Sequence, residues 1–224
     1  MCGRFTHKMS WSELVRLYQL SLDLNPPRNT EARYNICPTD QILYCRLKDG
    51  QRVVREASWW LVPPWAKERP KYAMINARVE EVATKPSWKD SFAARRCLIP
   101  ADGYYEWTIA DDKGKDPWYF HIPDGSPFSF AGIYAYNHKL NVTTCAIITS
   151  PPVPPVEMIH DRMPVALAEE AYDAWLDPKS DVETALDIVR ERHINGQMTV
   201  HRVDRQVNSN KWQGGPETIA PIDL

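Results

Sequence analysis

A sheet-centred fold, all-β or barrel-like through its middle and helical toward both ends, is what this sequence predicts. Three observations predict it. Between about residue 41 and residue 150, short runs rich in β-branched and aromatic residues alternate with clusters of Gly, Pro, Asp and Asn. Apolar residues at helical spacing are confined to one stretch near the start and two stretches after residue 168. Nine Trp and ten Tyr among 224 residues supply bulk for a β-rich core or faces for stacked bases, and most are expected in the core.

The elements follow in order. Ser10 with Glu13 forms a capping box, and Trp11, Leu14, Val15 and Tyr18 recur at helical spacing. A short amphipathic helix is therefore expected over residues 10–20, with Asn25-Pro26-Pro27 as the stop. Residues 42–47 and 52–59, joined by Asp49-Gly50, read as an antiparallel hairpin. Further strands are expected over 97–107, 118–122, 128–134 and 142–150. After the prolines of 151–155 come a strand over Met163–Leu167, helices over Glu169–Leu176 and about Asp181–His193, and a strand over 198–203. The tail from Ser209 is expected to be irregular. The proline run is short, and no change of composition follows it, so a single domain over 1–224 is expected.

Composition narrows the function. No run of roughly 18 apolar residues occurs, and the first residues lack a secretory apolar stretch, so neither membrane nor export is expected. A cytoplasmic, nucleoid-associated protein in a bacterium, or a nuclear one in a eukaryote, is expected instead. Five scattered cysteines without a CxxC pair argue against a disulfide framework and against a structural metal site. A net charge of −2 leaves any nucleic-acid affinity to a local basic groove. No Walker loop, GxGxxG, HExxH or GxSxG is present, so the chemistries they serve lose support.

Cys2 is the first candidate for chemistry. Removal of Met1 leaves an α-amine and a thiol on adjacent carbons, and reference pKa values of roughly 7.7–8.0 and 8.5 make both partly available near neutrality. An aldehyde meeting that pair can form a Schiff base and close through sulfur to a thiazolidine. On its own, a cysteine at position two is more often an accident of sequence. His160, between the proline-rich loop and the Met163 strand, offers a titratable imidazole beside Arg162, although a lone histidine is usually structural. Glu106 lies in the aromatic run Tyr104–Trp107, where a carboxylate must be paired, protonated or functional. Asn76 and Arg78 suit a sugar and a phosphate, and equally suit a surface turn. The stretch from Trp59 to Lys71 interleaves aromatics, Trp65 among them, with positive charge, as a single-strand groove does.

Taken in order, these segments resemble the SOS response-associated peptidase family, SRAP, whose members shield abasic sites. The resemblance runs through Met1–Phe5, Arg33–Ile36 and Pro38, Trp59–Trp65, Ile75–Glu80, Cys97–Trp107, Phe130–Ile133, Thr144–Thr149, Ile159–Leu167 and Val207-Asn208, nearly the whole chain. It implies a single α+β domain with a β-rich, barrel-like antiparallel core and a few peripheral helices. It further implies Cys2 as covalent nucleophile, Asn76 beside the sugar, Glu106 as the acidic residue and His160 in acid/base steps. Arg4, Arg78 and Arg162 match phosphate-contacting positions, and Trp65 an aromatic packed on the bent strand. One departure stands out: Trp59-Trp60 replaces the family's usual Trp-Gly, which puts the local groove shape in question.

The function expected from this resemblance is capture of abasic sites in single-stranded DNA as a thiazolidine crosslink at Cys2, with possible peptidase or lyase side activity. The protein is expected to act as a monomer, without cofactor or metal and without a membrane partner. The alternatives are a thiol peptidase using Cys2 and His160, and a non-covalent single-strand-binding module.

Overall fold

The computed structural model describes residues 2–222. Along the chain run β1 (Phe5–His7), α1 (Trp11–Tyr18), β2 (Arg33–Ile36), β3 (Gln41–Lys48), β4 (Gln51–Trp59), β5 (Asn76–Arg78) and α2 (Lys89–Ala94). There follow β6 (Arg96–Ala101), β7 (Gly103–Ile109), β8 (Lys115–His121), β9 (Phe128–Asn137), β10 (Val142–Ser150), β11 (Met163–Pro164) and β12 (Ala166–Leu167). The chain ends with α3 (Tyr172–Leu176), α4 (Val182–Glu191) and β13 (Thr199–Arg202).

Strands β10, β4, β3, β6 and β9 pair in that order, and β9 pairs again with β10, so five strands close into a barrel. Every pairing in the ring is antiparallel except β10 with β4, which is parallel through Thr144–Ser58 and Cys145–Trp59. β5 and β11 extend β10, and β12 extends β9. A second, antiparallel sheet has the order β13, β8, β7, β1, β2. Together with the peripheral helices this is the α+β architecture that the resemblance implied. Among the described residues no helix is long and apolar enough to cross a membrane.

Alternation along the strands builds two cores. On one face Cys45, Val54, Leu98, Ala131 and Ile148 pack with Leu14 and Tyr18 of α1, Trp175 of α3 and Val189 of α4. On the other, Ile42, Trp59, Ile99 and Phe130 meet Phe5, Tyr104 and Phe120 of the second sheet. Phe5 stands edge-on to Trp59 and Phe130 at ring separations of 5.1 and 5.8 Å. A fully buried phenylalanine contributes about 1.5–3 kcal/mol by leaving water, so Phe5 anchors the start of the chain between the two sheets. Gly132 is needed where β9 passes β6, because a Cβ there would lie 2.8 Å from Ile99 Cδ1.

Local chemistry explains most boundaries. Asp49 and Gly50 both take positive φ, 50° and 77°, as a two-residue hairpin turn requires. The capping box forms as expected: Ser10 N donates to Glu13 Oε2 at 2.7 Å and Glu13 N to Ser10 Oγ at 3.4 Å. α1 ends earlier than expected, because Gln19 turns left-handed at φ 49° well before the prolines. The strand expected over 97–107 is two strands. It breaks at Asp102, whose N–H donates to Thr6 O at 3.0 Å and whose carboxylate accepts from Lys8 N, and there the chain leaves the barrel for the second sheet. Met163–Leu167 is likewise two short pieces, with Val165 N donating to Ile148 O at 3.0 Å and Val165 O accepting from Ala131 N at 2.9 Å. The Glu169–Leu176 helix begins as a 3-10 turn before α3, and Asp181 caps α4. The tail is mostly irregular yet docked: Asn35 Nδ2 donates to Ser209 O at 3.0 Å.

Candidate active site at the amino terminus

Cys2 lies just ahead of β1, which sits between β2 and β7, so the start of the chain is held inside the second sheet, one strand from its edge. Its side chain is wholly buried, and its Sγ donates to Arg4 O at 3.7 Å. Its carbonyl accepts from Asn76 Nδ2 at 2.8 Å. Asn76 opens β5 and is fixed by parallel pairing with Ile147 of β10, so one hydrogen bond joins the chain's start to the barrel. The other amide atom, Asn76 Oδ1, is buried without a partner among the described residues.

β7 brings in the carboxylate. Its alternation sends Tyr104 and Glu106 toward the Cys2 core and Tyr105 and Trp107 to the opposite face, against Val203 and Val207. Glu106 is 1% exposed, and its Oε2 lies 3.7 Å from His160 Nε2. His160 follows a 3-10 turn over Val156–Met158, and its N–H donates to Val156 O at 2.9 Å. Residues 2, 76, 106 and 160, distant in sequence, thus meet at one place.

The electrostatics suit acid/base work. Burial pushes the Glu106 carboxyl up to about 7, against the pull of the amino-terminal positive charge. Burial also raises the Cys2 thiol far above its ordinary value, with the Glu106 charge adding to the effect, so the sulfur is protonated at neutral pH. The His160 imidazole is lowered by burial and is neutral. His160 Nδ1 lies 3.0 Å both from Arg162 N and from Asp161 Oδ1. Only the first suits a neutral ring with unprotonated Nδ1, and the Asp161 side chain is 88% exposed and screened by water. The backbone bond therefore sets the tautomer, leaving Nε2–H toward Glu106. A neutral imidazole and a carboxyl titrating near neutrality form a pair able to donate and accept protons.

The four residues expected at a DNA strand divide into two groups. Arg78 is exposed, and as the second residue beyond Asn76 on β5 it shares that residue's face. Trp65 is 62% exposed. Arg4 is engaged within the chain, donating to Asn35 Oδ1 at 2.8 Å, Val207 O at 2.5 Å and Asn208 O at 3.3 Å. Arg162 forks onto Glu80 at 2.6 and 2.9 Å and donates to Thr149 O at 3.0 Å. Trp60, where the family pattern has glycine, is half-buried and packs against both cores.

The chain matches the SOS response associated peptidase (SRAP) family model over residues 1–210. It is 36% identical over 226 residues to the abasic site processing protein YoqW of Bacillus subtilis (strain 168), covering 98% of this chain and 99% of that one. It is 29% identical over 227 residues to the abasic site processing protein YedK of Escherichia coli (strain K12), covering 99% and 100%. A crystal structure of a Bacteroides thetaiotaomicron protein matches in fold with a TM-score of 0.84 at 20% identity, covering 99% of this chain and all of the other. With its barrel, its second sheet and a match spanning nearly its whole length, this chain belongs to the SRAP family.

Proposed function

We propose that this chain processes abasic sites in single-stranded DNA, capturing the sugar aldehyde covalently at Cys2 once Met1 has been removed. The observation that carries the reading is the gathering of Asn76, Glu106 and His160 around residue 2. The names borne by YoqW and YedK support the same substrate. An abasic deoxyribose is mostly a closed hemiacetal, so the reaction begins with ring opening, in which His160 and Glu106 exchange protons with the sugar oxygens. The α-amine of Cys2 then adds to C1′, water leaves, and an iminium forms. Addition of the sulfur to C1′, with the S–H proton passing to the Glu106 carboxylate, returns the π electrons to nitrogen and closes the thiazolidine. Holding the amine and thiol on one residue beside the sugar makes the second addition intramolecular. This condensation requires neither metal nor cofactor.

Arg78 and Trp65 are the residues open to the strand, for a phosphate and for stacking respectively. Arg4 and Arg162 reach phosphates only by sharing or leaving their present partners. The protein acts as a monomer wherever single-stranded DNA is exposed, in a nucleoid or a nucleus. The iminium also acidifies the sugar's C2′ protons, so a slow lyase side reaction is part of the proposal. The raised Cys2 thiol weighs against the peptidase alternative, which needs a thiolate. The test is a gel of protein boiled in detergent after incubation with abasic single-stranded DNA, run beside Cys2→Ala and beside peptide substrates. A retarded band in wild type alone supports the reading; an equal band from Cys2→Ala, or none from wild type, contradicts it.

A further inference from the structure

A cavity of about 150 Å³ opens where β1, β2 and the start of β3 meet the loop of residues 28–31, and Cys2, Asn76, Glu106 and His160 do not line it. β1 turns the Thr6 hydroxyl away, to within 2.9 Å of Tyr119 Oη, so Phe5 and His7 share the opposite face and both line the cavity. β1 pairs with β2 through Phe5–Ile36 and His7–Arg33, a slip of one residue between the two pairs, and such bulges re-aim side chains beside sites. His7 is 6% exposed, and its Nε2 has no hydrogen-bond partner among the described residues. Burial, with the Arg33 charge, lowers the imidazole to about 4, so the ring is neutral at physiological pH. A buried polar atom left unpaired is destabilising, and phenylalanine would fill the same place without that cost.

The lining indicates what the imidazole would pair with. Phe5, Ile36, Ile42 and Pro100 are buried and make an apolar floor. Arg28 is part of the wall, and its Cζ stands 4.8 Å over the Trp11 ring; guanidinium planes stack on aromatic rings and on bases alike. Arg33 is committed to Gln41 O at 2.6 Å and to Asp40 Oδ2 at 2.5 Å. Asn29, Glu31, Gln41 and Glu56 are exposed around the mouth, with Glu56 3.8 Å from Arg28. A simple anion entering here would meet two carboxylates, and a simple cation two guanidiniums. A neutral, flat ring with donors and acceptors along one edge meets neither conflict. We propose that this cavity binds a single nucleobase, its ring on the apolar floor beside Arg28 and its polar edge hydrogen-bonded to His7 Nε2. The base comes from a free nucleotide or from a strand lying on the protein, since both present the same ring and edge. The site is separate from residue 2 and stands whether or not the covalent reading above holds.

The experiment follows the His7 imidazole signals of the nitrogen-labelled full chain by nuclear magnetic resonance. The protein is titrated with deoxynucleoside monophosphates, with an undamaged single-stranded oligonucleotide, and with deoxyribose phosphate, which lacks a base. The nucleotides or the oligonucleotide are expected to move the His7 signals to saturation with a Kd on the order of 1 mM or tighter, and deoxyribose phosphate to leave them in place. Response to mononucleotides alone supports a free-nucleotide site; response to the oligonucleotide at lower concentration supports capture of a strand base. No movement with any of them, or equal movement with deoxyribose phosphate, overturns the proposal without recourse to a variant. His7→Phe keeps a ring in place and is expected to weaken binding roughly 10-fold by calorimetry, because the base edge loses its buried partner. Unchanged affinity in folded His7→Phe overturns the role of the imidazole. The His7 response is expected to persist in Cys2→Ala, and its loss there would place the base at residue 2 and contradict a separate site.

Discussion

Asn76 Nδ2 donates to the carbonyl oxygen of Cys2 at 2.8 Å, so the barrel itself, through β5 and β10, sets where the chain's second residue lies. Removing that donor leaves a buried carbonyl unpaired, at about 1–3 kcal/mol. Asn76→Ala is therefore expected to slow adduct formation by roughly 10- to 100-fold, measured as the appearance of boil-resistant complex over time. An unchanged rate would show that the bond is incidental.

With Met1 attached, the Cys2 nitrogen is a peptide nitrogen and the side chain has no exposed surface. A chain carrying a Gly-Ser extension before Cys2 is expected to keep its affinity for single-stranded DNA and to form no adduct. Both are read on one gel, native and denaturing. Adduct from the extended chain would mean that another nucleophile acts.

Glu106 carries the pH dependence. Its carboxyl is raised by burial from 4.5 to about 7, so the carboxylate that accepts protons is populated only as pH rises through neutrality. The rate of adduct formation is expected to climb through that range and to lose this limb in Glu106→Gln. Stability runs in the opposite sense. A raised carboxyl stabilises the fold below the ordinary carboxylate range, and that contribution is lost as pH rises through about 7. Above neutrality Glu106→Gln is therefore expected to be more stable than wild type, by an amount on the order of 3 kcal/mol. Urea unfolding at pH 5 and pH 8 measures the difference.

Arg162 is held by Glu80 in a two-point ion pair, and the Glu80 carboxyl is lowered by that bond. A phosphate must compete with it. Glu80→Gln is expected to tighten single-strand binding several-fold at low salt, and the gain should vanish in Glu80→Gln with Arg162→Ala. Arg78→Ala, by contrast, removes an exposed charge and should weaken binding while reducing the salt slope by about 0.7. Fluorescence anisotropy across a salt series separates these outcomes.

Strands with strong local signals were legible in the sequence. The Asp49-Gly50 hairpin and the runs that became β9 and β10 announce themselves by residue type and turn chemistry. Others were not. β1, β2 and β5 are three or four residues long and exist because neighbouring strands pair with them, as Ile147 of β10 does with Asn76. The break at Asp102 depends on Thr6 and Lys8, far away in sequence, and no local pattern reveals it. At the site, the residue types of Cys2, Glu106 and His160 were visible, and family resemblance joined them. Their separations, and the engagement of Arg4 and Arg162 within the chain, come only from the fold. Trp60, which the sequence marks only as a departure from the family pattern, turns out to pack against both cores.

The mass of the intact adduct tests covalent capture at residue 2 most directly. The expected value is the chain without Met1, plus the abasic oligonucleotide, minus one water, with peptide mapping that places both the amine and the sulfur of Cys2 in the linkage. A product that retains Met1, or one attached through any other residue, would contradict the account.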